Sequence, residues 1–262
     1  MTDTSAPDEP APPAGESRVR GRSAPAAVAQ VASTGPHAHT PSTAIGIFGG
    51  TFNPPHRGHL ALARHARAEL GLDRVLLMPA HSAPHKGDEE DPGPRRRLEM
   101  CRLAVAGEQQ AGLEACGLEI ERGGPSYTVD TLRVIEQSDP EAELTFIVGA
   151  DMARTLTAWR EPRALVELAR LAVAEREDAG REDVLGALAP LGATVEFLGM
   201  PRIEVSSSQV RERVREGESI GDLVAPAVAE YIAEHGLYRG ASGDAPEYTQ
   251  DQRQSRAKAG AK

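Results

Sequence analysis

Between residues 44 and 240 the chain alternates short apolar runs with longer amphipathic stretches. Short apolar runs bounded by turn residues read as buried strands, and apolar positions recurring every three or four residues read as helix faces. Strands are predicted over 44–48, 74–78, part of 113–120, 144–148, 171–174 and 195–198. Helices are predicted over 58–70, 94–106, 127–137, 162–169, 183–188, 207–215 and 226–234. Such alternation predicts an α/β fold: one domain with a Rossmann-like, doubly wound parallel sheet and helices on both faces. Ligands of such sheets bind beyond the carboxyl ends of the strands. The segments that follow 48, 78 and 148 are therefore where chemistry is expected.

The two ends differ from this middle. Residues 1–43 are dominated by Ala, Pro, Ser, Thr and Gly and contain no aromatic side chain. Residues 241–262 have a similar character. Neither stretch can bury enough apolar surface to offset its ordering entropy, so both are expected to be disordered, leaving 44–240 as the folded unit. A chain beginning at Ser42 is expected to keep its melting temperature and its activity; a large loss of either would show that the extension packs on the core. The same composition admits a translation start inside the segment at a non-Met codon, since no Met occurs between Met1 and Met78.

Composition excludes several classes. No apolar run approaches membrane-spanning length, and the N-terminus lacks the apolar core of a signal peptide. Arg18, Arg20 and Arg22 among small residues resemble a transit peptide, but Asp3, Asp8, Glu9 and Glu16 argue against one, and a cytoplasmic protein is expected. Cys101 and Cys116, in a chain with no export signal, read as free thiols. A formal charge of −10 argues against a general nucleic-acid binder. A local positive cluster would still serve a nucleotide, and His56, His59, Lys86 and Arg211 could form one if the fold gathers them.

The segment Gly46-Ile-Phe-Gly-Gly-Thr-Phe-Asn-Pro-Pro-His-Arg-Gly-His-Leu60 carries the most chemical information. Gly49 and Gly50 allow a sharp turn and close approach to a ligand, and Pro54 and Pro55 stop the strand. Gly58 and His59 fall where a helix opens, with amides and the positive end of its dipole available to an anion, most often phosphate. His56 and His59, three residues apart, share one helical face and add donors able to carry charge. Zinc is the competing reading, but no further Cys, His or Glu stands nearby at ligand spacing, so no metal site is assigned. The loop matches neither the P-loop ending nor the dinucleotide fingerprint.

This segment, Gly49-Gly50-Thr51-Phe52-Asn53-Pro54 with His56-x-Gly-His59, resembles the first signature of the HxGH nucleotidyltransferases, which transfer adenylyl or cytidylyl groups. Later motifs are similar to the branch that adenylylates nicotinate mononucleotide. Pro84-His85-Lys86 and then Arg97-Leu98-Glu99-Met100 resemble that branch, where this loop borders the mononucleotide and ATP phosphates. In the segment from Gly124 to Leu132, Ser126 or Thr128 could cap the following helix, whose exposed amides would suit a small carboxylate. The resemblance implies that the Ser126-Tyr127-Thr128 turn contacts the pyridine carboxylate. Gly149 and Asp151 end the fourth strand, where a carboxylate can accept from ribose hydroxyls. Trp159 reads equally as a core residue or as a stacking face, and the resemblance implies stacking on the pyridine ring.

The last motif is Val205-Ser206-Ser207-Ser208-Gln209-Val210-Arg211, either an ordinary serine cap with a solvated arginine or an anion nest. The family pattern has Thr where Ser208 stands, and it often has Arg-Pro-Gly where this chain has Ala174-Glu175-Arg176, so Arg176 is given no role.

The resemblance spans about residues 44–239 and implies transfer of the ATP adenylyl group to nicotinate mononucleotide, giving deamido-NAD and pyrophosphate. It further implies catalytic roles for His56, His59, Lys86 and Arg211. ATP would be bound by Gly49, Gly50, Thr51, Phe52, His56, His59, Gly149, Asp151, Ser206, Ser207, Ser208 and Arg211, and the mononucleotide by Lys86, Tyr127, Thr128 and Trp159. Mg²⁺ would arrive with ATP. The partners expected are these two nucleotides, with no nucleic acid and no membrane; the sequence leaves a homo-oligomer open. A pantetheine-phosphate adenylyltransferase, a metal-dependent hydrolase and a non-catalytic nucleotide sensor are the alternatives.

Overall fold

The computed structural model of this chain describes residues 42–82, 90–108, 111–174, 180–199 and 203–240. Its sheet is built from β1 (Ala44–Gly50), β2 (Arg74–Pro79), β3 (Leu113–Ala115), β4 (Glu143–Gly149), β5 (Arg170–Ala174) and β6 (Val195–Leu198). These strands pair in parallel in the order β3-β2-β1-β4-β5-β6. The order reverses between β1 and β4, and it is at such a reversal that a doubly wound sheet opens a crevice for ligands.

Alternate strand residues feed two separate cores. Phe48, Val75, Leu77 and Ile147 face one side, where they meet α1 (Arg57–Leu70), α2 (Pro94–Val105), α8 (Ser207–Glu216) and α9 (Pro226–Glu234). Ile45, Ile47, Leu76, Met78 and Phe146 face the other. There they meet α3 (Leu118–Arg122), α4 (Thr128–Ser138), α5 (Ala150–Ala153), α6 (Pro162–Leu168) and α7 (Arg181–Leu188). Burial on both faces explains why the strands read as continuous apolar runs rather than as alternating patterns. Gly46 is the exception in β1: a Cβ there would lie 2.8 Å from Leu72 Cδ1 and 3.0 Å from Val75 Cγ2, so only glycine lets the first core close.

The strand predicted over part of 113–120 is its first three residues. Pairing with β2 runs only from Leu113 to Ala115, after which the Cys116 amide donates to Leu77 O and the ladder stops. The chain turns at Gly117 and forms α3, burying Leu118 and bringing Glu119 to the Thr131 hydroxyl at 2.7 Å. An edge strand with one neighbour gains too little from its ladder to hold an extended run against that burial. Helix α5 has four residues, too few for a helical period to register in the sequence.

Among the described residues no helix is long and apolar enough to cross a membrane.

Candidate active site

Three of the predicted motifs leave the same edge of the sheet. Gly50 pairs with Pro79, Gly149 pairs with Ala174, and the pairing of Phe48 with Ile147 sets Gly50 level with Gly149. The loop after β1 therefore sits at the reversal, flanked by the loops that follow β2 and β4.

That loop is fixed through its carbonyl groups. Ala80 N–H donates to Gly50 O at 2.9 Å, and Arg97 Nη1 to Thr51 O at 2.8 Å. Arg211 Nη1 donates to Asn53 O at 2.8 Å, and Ser207 Oγ to Pro54 O at 2.9 Å. Tyr238 Oη donates to Asn53 Oδ1 at 2.7 Å in a buried contact. Burial, and next the nearby Asp91, raise the Tyr238 phenol, so it stays protonated as this donor role requires. Tyr238→Phe would leave Asn53 Oδ1 buried with that bond lost, at a cost of about 1–3 kcal/mol. Chemical denaturation should show it as a lower midpoint with an unchanged slope; an unchanged midpoint would contradict the assignment.

Phe52 is held in this loop by its surroundings. Its φ is 51°, a conformation that a bulky residue keeps only when its surroundings enforce it. The ring is buried, edge-on to Phe48 at 5.4 Å and to His59 at 4.9 Å. Phe52 thus supports His59 and offers no side-chain surface to a ligand.

The two histidines open α1, with His56 at the N-cap. Their rings stack with centroids 3.6 Å apart, and His56 N–H donates to His59 Nδ1 at 3.1 Å. Because Nδ1 accepts, the proton of a neutral His59 resides on Nε2, which becomes the donor. Of the two residues between them, Gly58 cannot carry a side chain freely: a Cβ there would lie 3.1 Å from His56 Nδ1. The expectation of an open amide is corrected for His59. Arg57 N–H donates to Leu223 O at 2.8 Å and His59 N–H to His56 O at 2.9 Å.

Helix α8 brings the serine motif onto the same loop. Ser206 is its N-cap and accepts from Gln209 N–H at 3.1 Å, the ordinary capping role. Ser207 and Arg211 hold the loop, as above, and Ser208 Oγ lies 3.5 Å from Arg211 Nη2. Arg211 Nε also pairs with Glu90 at 3.0 Å, and Arg215 binds the same carboxylate at 3.2 Å. Arg211 and the histidine loop are thus brought together, with much of the guanidinium already engaged.

A second group of contacts forms beside β2. The His81 amide donates to Ser126 Oγ at 2.9 Å, the Ser126 amide to Ser82 O at 3.0 Å, and His81 Nδ1 lies 3.0 Å from Gly124 O. Neither Ser126 nor Thr128 caps α4, whose N-cap is Tyr127 without a side-chain bond. The Ser126 hydroxyl is used instead to join the β2 loop to this turn. Tyr127 is half-buried under the Arg160 guanidinium, 4.7 Å from its ring centroid. Trp159 is also half-buried, edge-on to Phe146 at 6.0 Å, with Nε1 donating to Thr155 Oγ1 at 3.1 Å. Asp151 is exposed at the start of α5 and forms an ion pair with Arg154. Lys86, with Pro84 and His85, lies outside the described residues, as does Arg176.

Sequence reasoning gave no individual role to Arg97, Asn53, His81 or Tyr238. For Arg97 a signal existed: it shares the buried stripe of α2 with Cys101 and Ala104, where the helical period calls for an apolar residue. The two thiols are free and buried, and burial raises both, pushing Cys116 up to about 11. Among the described residues no group of three or more His, Cys, Asp or Glu could hold a metal ion.

Comparison with known proteins agrees with this geometry. Residues 47–213 match the cytidylyltransferase-like family. A probable nicotinate-nucleotide adenylyltransferase of Gemmatimonas aurantiaca is 41% identical over 197 residues, covering 74% of this chain and 92% of the relative. Another, from Synechococcus sp. (strain JA-3-3Ab), is 42% identical over 197 residues, covering 74% and 94%. Among solved structures, a Plasmodium falciparum nicotinic acid mononucleotide adenylyltransferase complexed with NaAD matches with a TM-score of 0.61, covering 75% of this chain and 97% of that one. At 18% identity that likeness bears on the fold alone. The chain belongs to the cytidylyltransferase-like family, in its nicotinate-nucleotide adenylyltransferase branch.

Proposed function

We propose that this chain transfers the adenylyl group of ATP to nicotinate mononucleotide, forming deamido-NAD and pyrophosphate. The observation that carries the reading is the seating of His56 and His59 at the carboxyl end of β1, where the sheet order reverses, in a chain 41% identical to a relative of that name.

A phosphate oxygen of the mononucleotide attacks the α-phosphorus of ATP in line. One P–O bond forms as the bond to the departing pyrophosphate breaks. Phosphate is already an adequate nucleophile, so no side-chain base and no covalent enzyme intermediate are needed. Catalysis rests on positioning and on neutralising developing charge. His59 Nε2–H and the stacked His56 supply donors to the ATP phosphates, on a loop whose main chain at Gly49, Gly50 and Thr51 borders the same edge. Lys86 and Arg211 add positive charge toward the triphosphate, and Arg211 exchanges Glu90 for a phosphate oxygen as it does so. Gly149 and Asp151 face the ribose, the serines of α8 border the phosphates, and Tyr127, Thr128 and Trp159 form the mononucleotide side.

Mg²⁺ accompanies ATP in this reading. Mg²⁺ of this kind keeps mostly phosphate and water ligands. When bound it neutralises phosphate charge.

Pyrophosphate release from ATP, measured with a panel of mononucleotides, tests the function. Release with nicotinate mononucleotide is expected. Release only with phosphopantetheine would move the chain to another branch, and ATP binding without release from any partner would make it a sensor.

A further inference from the structure

Arg97 is a charged residue with 1% of its surface exposed, and all three guanidinium nitrogens are engaged. Nε donates to Asp91 Oδ1 at 2.9 Å, Nη1 to Thr51 O at 2.8 Å and Nη2 to His81 O at 3.1 Å. Asp91 Oδ1 in turn accepts from the Gly93 amide at 2.9 Å. The charge is therefore paired, and its two remaining edges bind carbonyls of two different loops.

Those loops belong to opposite halves of the site. Thr51 lies in the loop that leads to His56 and His59, on the ATP side. His81 is bonded through its amide to Ser126 and through Nδ1 to Gly124, in the turn that leads to Tyr127 and Thr128 on the mononucleotide side. A continuous series of bonds runs from one half-site to the other, and Arg97 is its central member. We infer that Arg97 is a positioning residue that sets the spacing between the nucleotide-phosphate loop and the mononucleotide turn, and so the distance from attacking oxygen to α-phosphorus.

This rests on the adenylyl-transfer reading. In-line transfer is sensitive to that distance, since a misplacement of about 1 Å can cost ~10²-fold in rate. A planar guanidinium can span three acceptors at once, whereas an ammonium on a flexible stem cannot hold the same fork. Spacing between half-sites matters little for either substrate bound alone. It matters when both must meet.

Arg97→Lys retains the charge beside Asp91 and separates the two consequences. For the full-length enzyme, kcat is expected to fall ~10–100-fold, while the Kd for ATP alone and for nicotinate mononucleotide alone, by calorimetry, stay within ~3-fold of wild type. A purely structural residue would lower the melting temperature and leave kcat per folded molecule unchanged. His81→Ala removes the side-chain part of the next link, the Nδ1 bond to Gly124 O, at a half-buried position and is expected to give the same split; should Arg97→Lys not fold, His81→Ala decides alone. Wild-type kcat in the folded variant, or a rate loss matched by weaker binding of either substrate, would overturn the inference. Wild type is assayed alongside: an inactive wild type refutes the adenylyl-transfer reading, and an active wild type with an equally active variant refutes the role of Arg97 alone.

Discussion

Replacing His59 with alanine is expected to lower kcat by ~10²–10³, the usual loss when one preorganised transition-state donor is removed from an electrostatic site. The ring is fixed before substrate arrives. His56 N–H occupies Nδ1, the His56 ring stacks on one face, and Phe48 and Phe52 pack at 5.9 and 4.9 Å between centroids. Such a donor needs no reorganisation when charge builds on the phosphate oxygens, and alanine leaves nothing in its place. The KM for ATP should change less than kcat, because the donor acts most strongly on charge that develops in the transition state. Alanine also removes the acceptor of the His56 amide, a loss of about 1 kcal/mol in stability. His59→Asn keeps an acceptor near that amide and should recover stability without recovering rate. Turnover by pyrophosphate release, with thermal unfolding in parallel, checks both; a folded variant of near-normal turnover removes His59 from the catalytic set.

A second large effect concerns the substrate. Nicotinate mononucleotide is expected to exceed its amide counterpart by ~10²-fold or more in kcat/KM. The start of α4 carries the positive end of a helix dipole, and its first-turn acid, Asp130, lies 3.7 Å from Arg133 and 3.8 Å from Arg160. The Ser126 hydroxyl accepts from the His81 amide, which fixes its oxygen while leaving its own O–H to donate, and its amide donates to Ser82 O. Thr128 is the second hydroxyl of the motif. Replacing one carboxylate oxygen with NH₂ sets donor against donor and removes the charge that the helix end favours. Thr128→Ala should narrow the gap mainly by harming the acid substrate. Trp159→Ala should weaken both alike, because stacking does not distinguish the two rings. Equal efficiency on wild type, or a preference for the amide, would sink the carboxylate pocket.

What the sequence determined by itself was local. The strand–helix alternation needs only neighbouring residues, because burial on both faces writes itself as apolar runs and amphipathic periods. The histidine motif is likewise continuous: turn, helix start and both imidazoles occur within 49–59, so it reads as a candidate anion site before any packing is known. The limits of local reading appear at 113–120, where an apolar run divides into edge strand and helix once only one neighbouring strand is available.

The tertiary structure alone decided how the polar groups are used. Ser126 and Thr128 were equally good caps in the sequence, and neither caps; Ser126 bonds His81, 45 residues away. Arg211 reads as a phosphate ligand, yet it first holds Asn53 O across 158 residues. Tyr238 reaches Asn53 across 185 residues, and Arg97 reaches Thr51 across 46. The physical reason is common to all four. A polar group taken into a core must find a partner there, and which partners are within reach is set by which loops the sheet order brings to one edge. No local pattern carries that information, because strand order is fixed by long-range packing and not by the residues on either side.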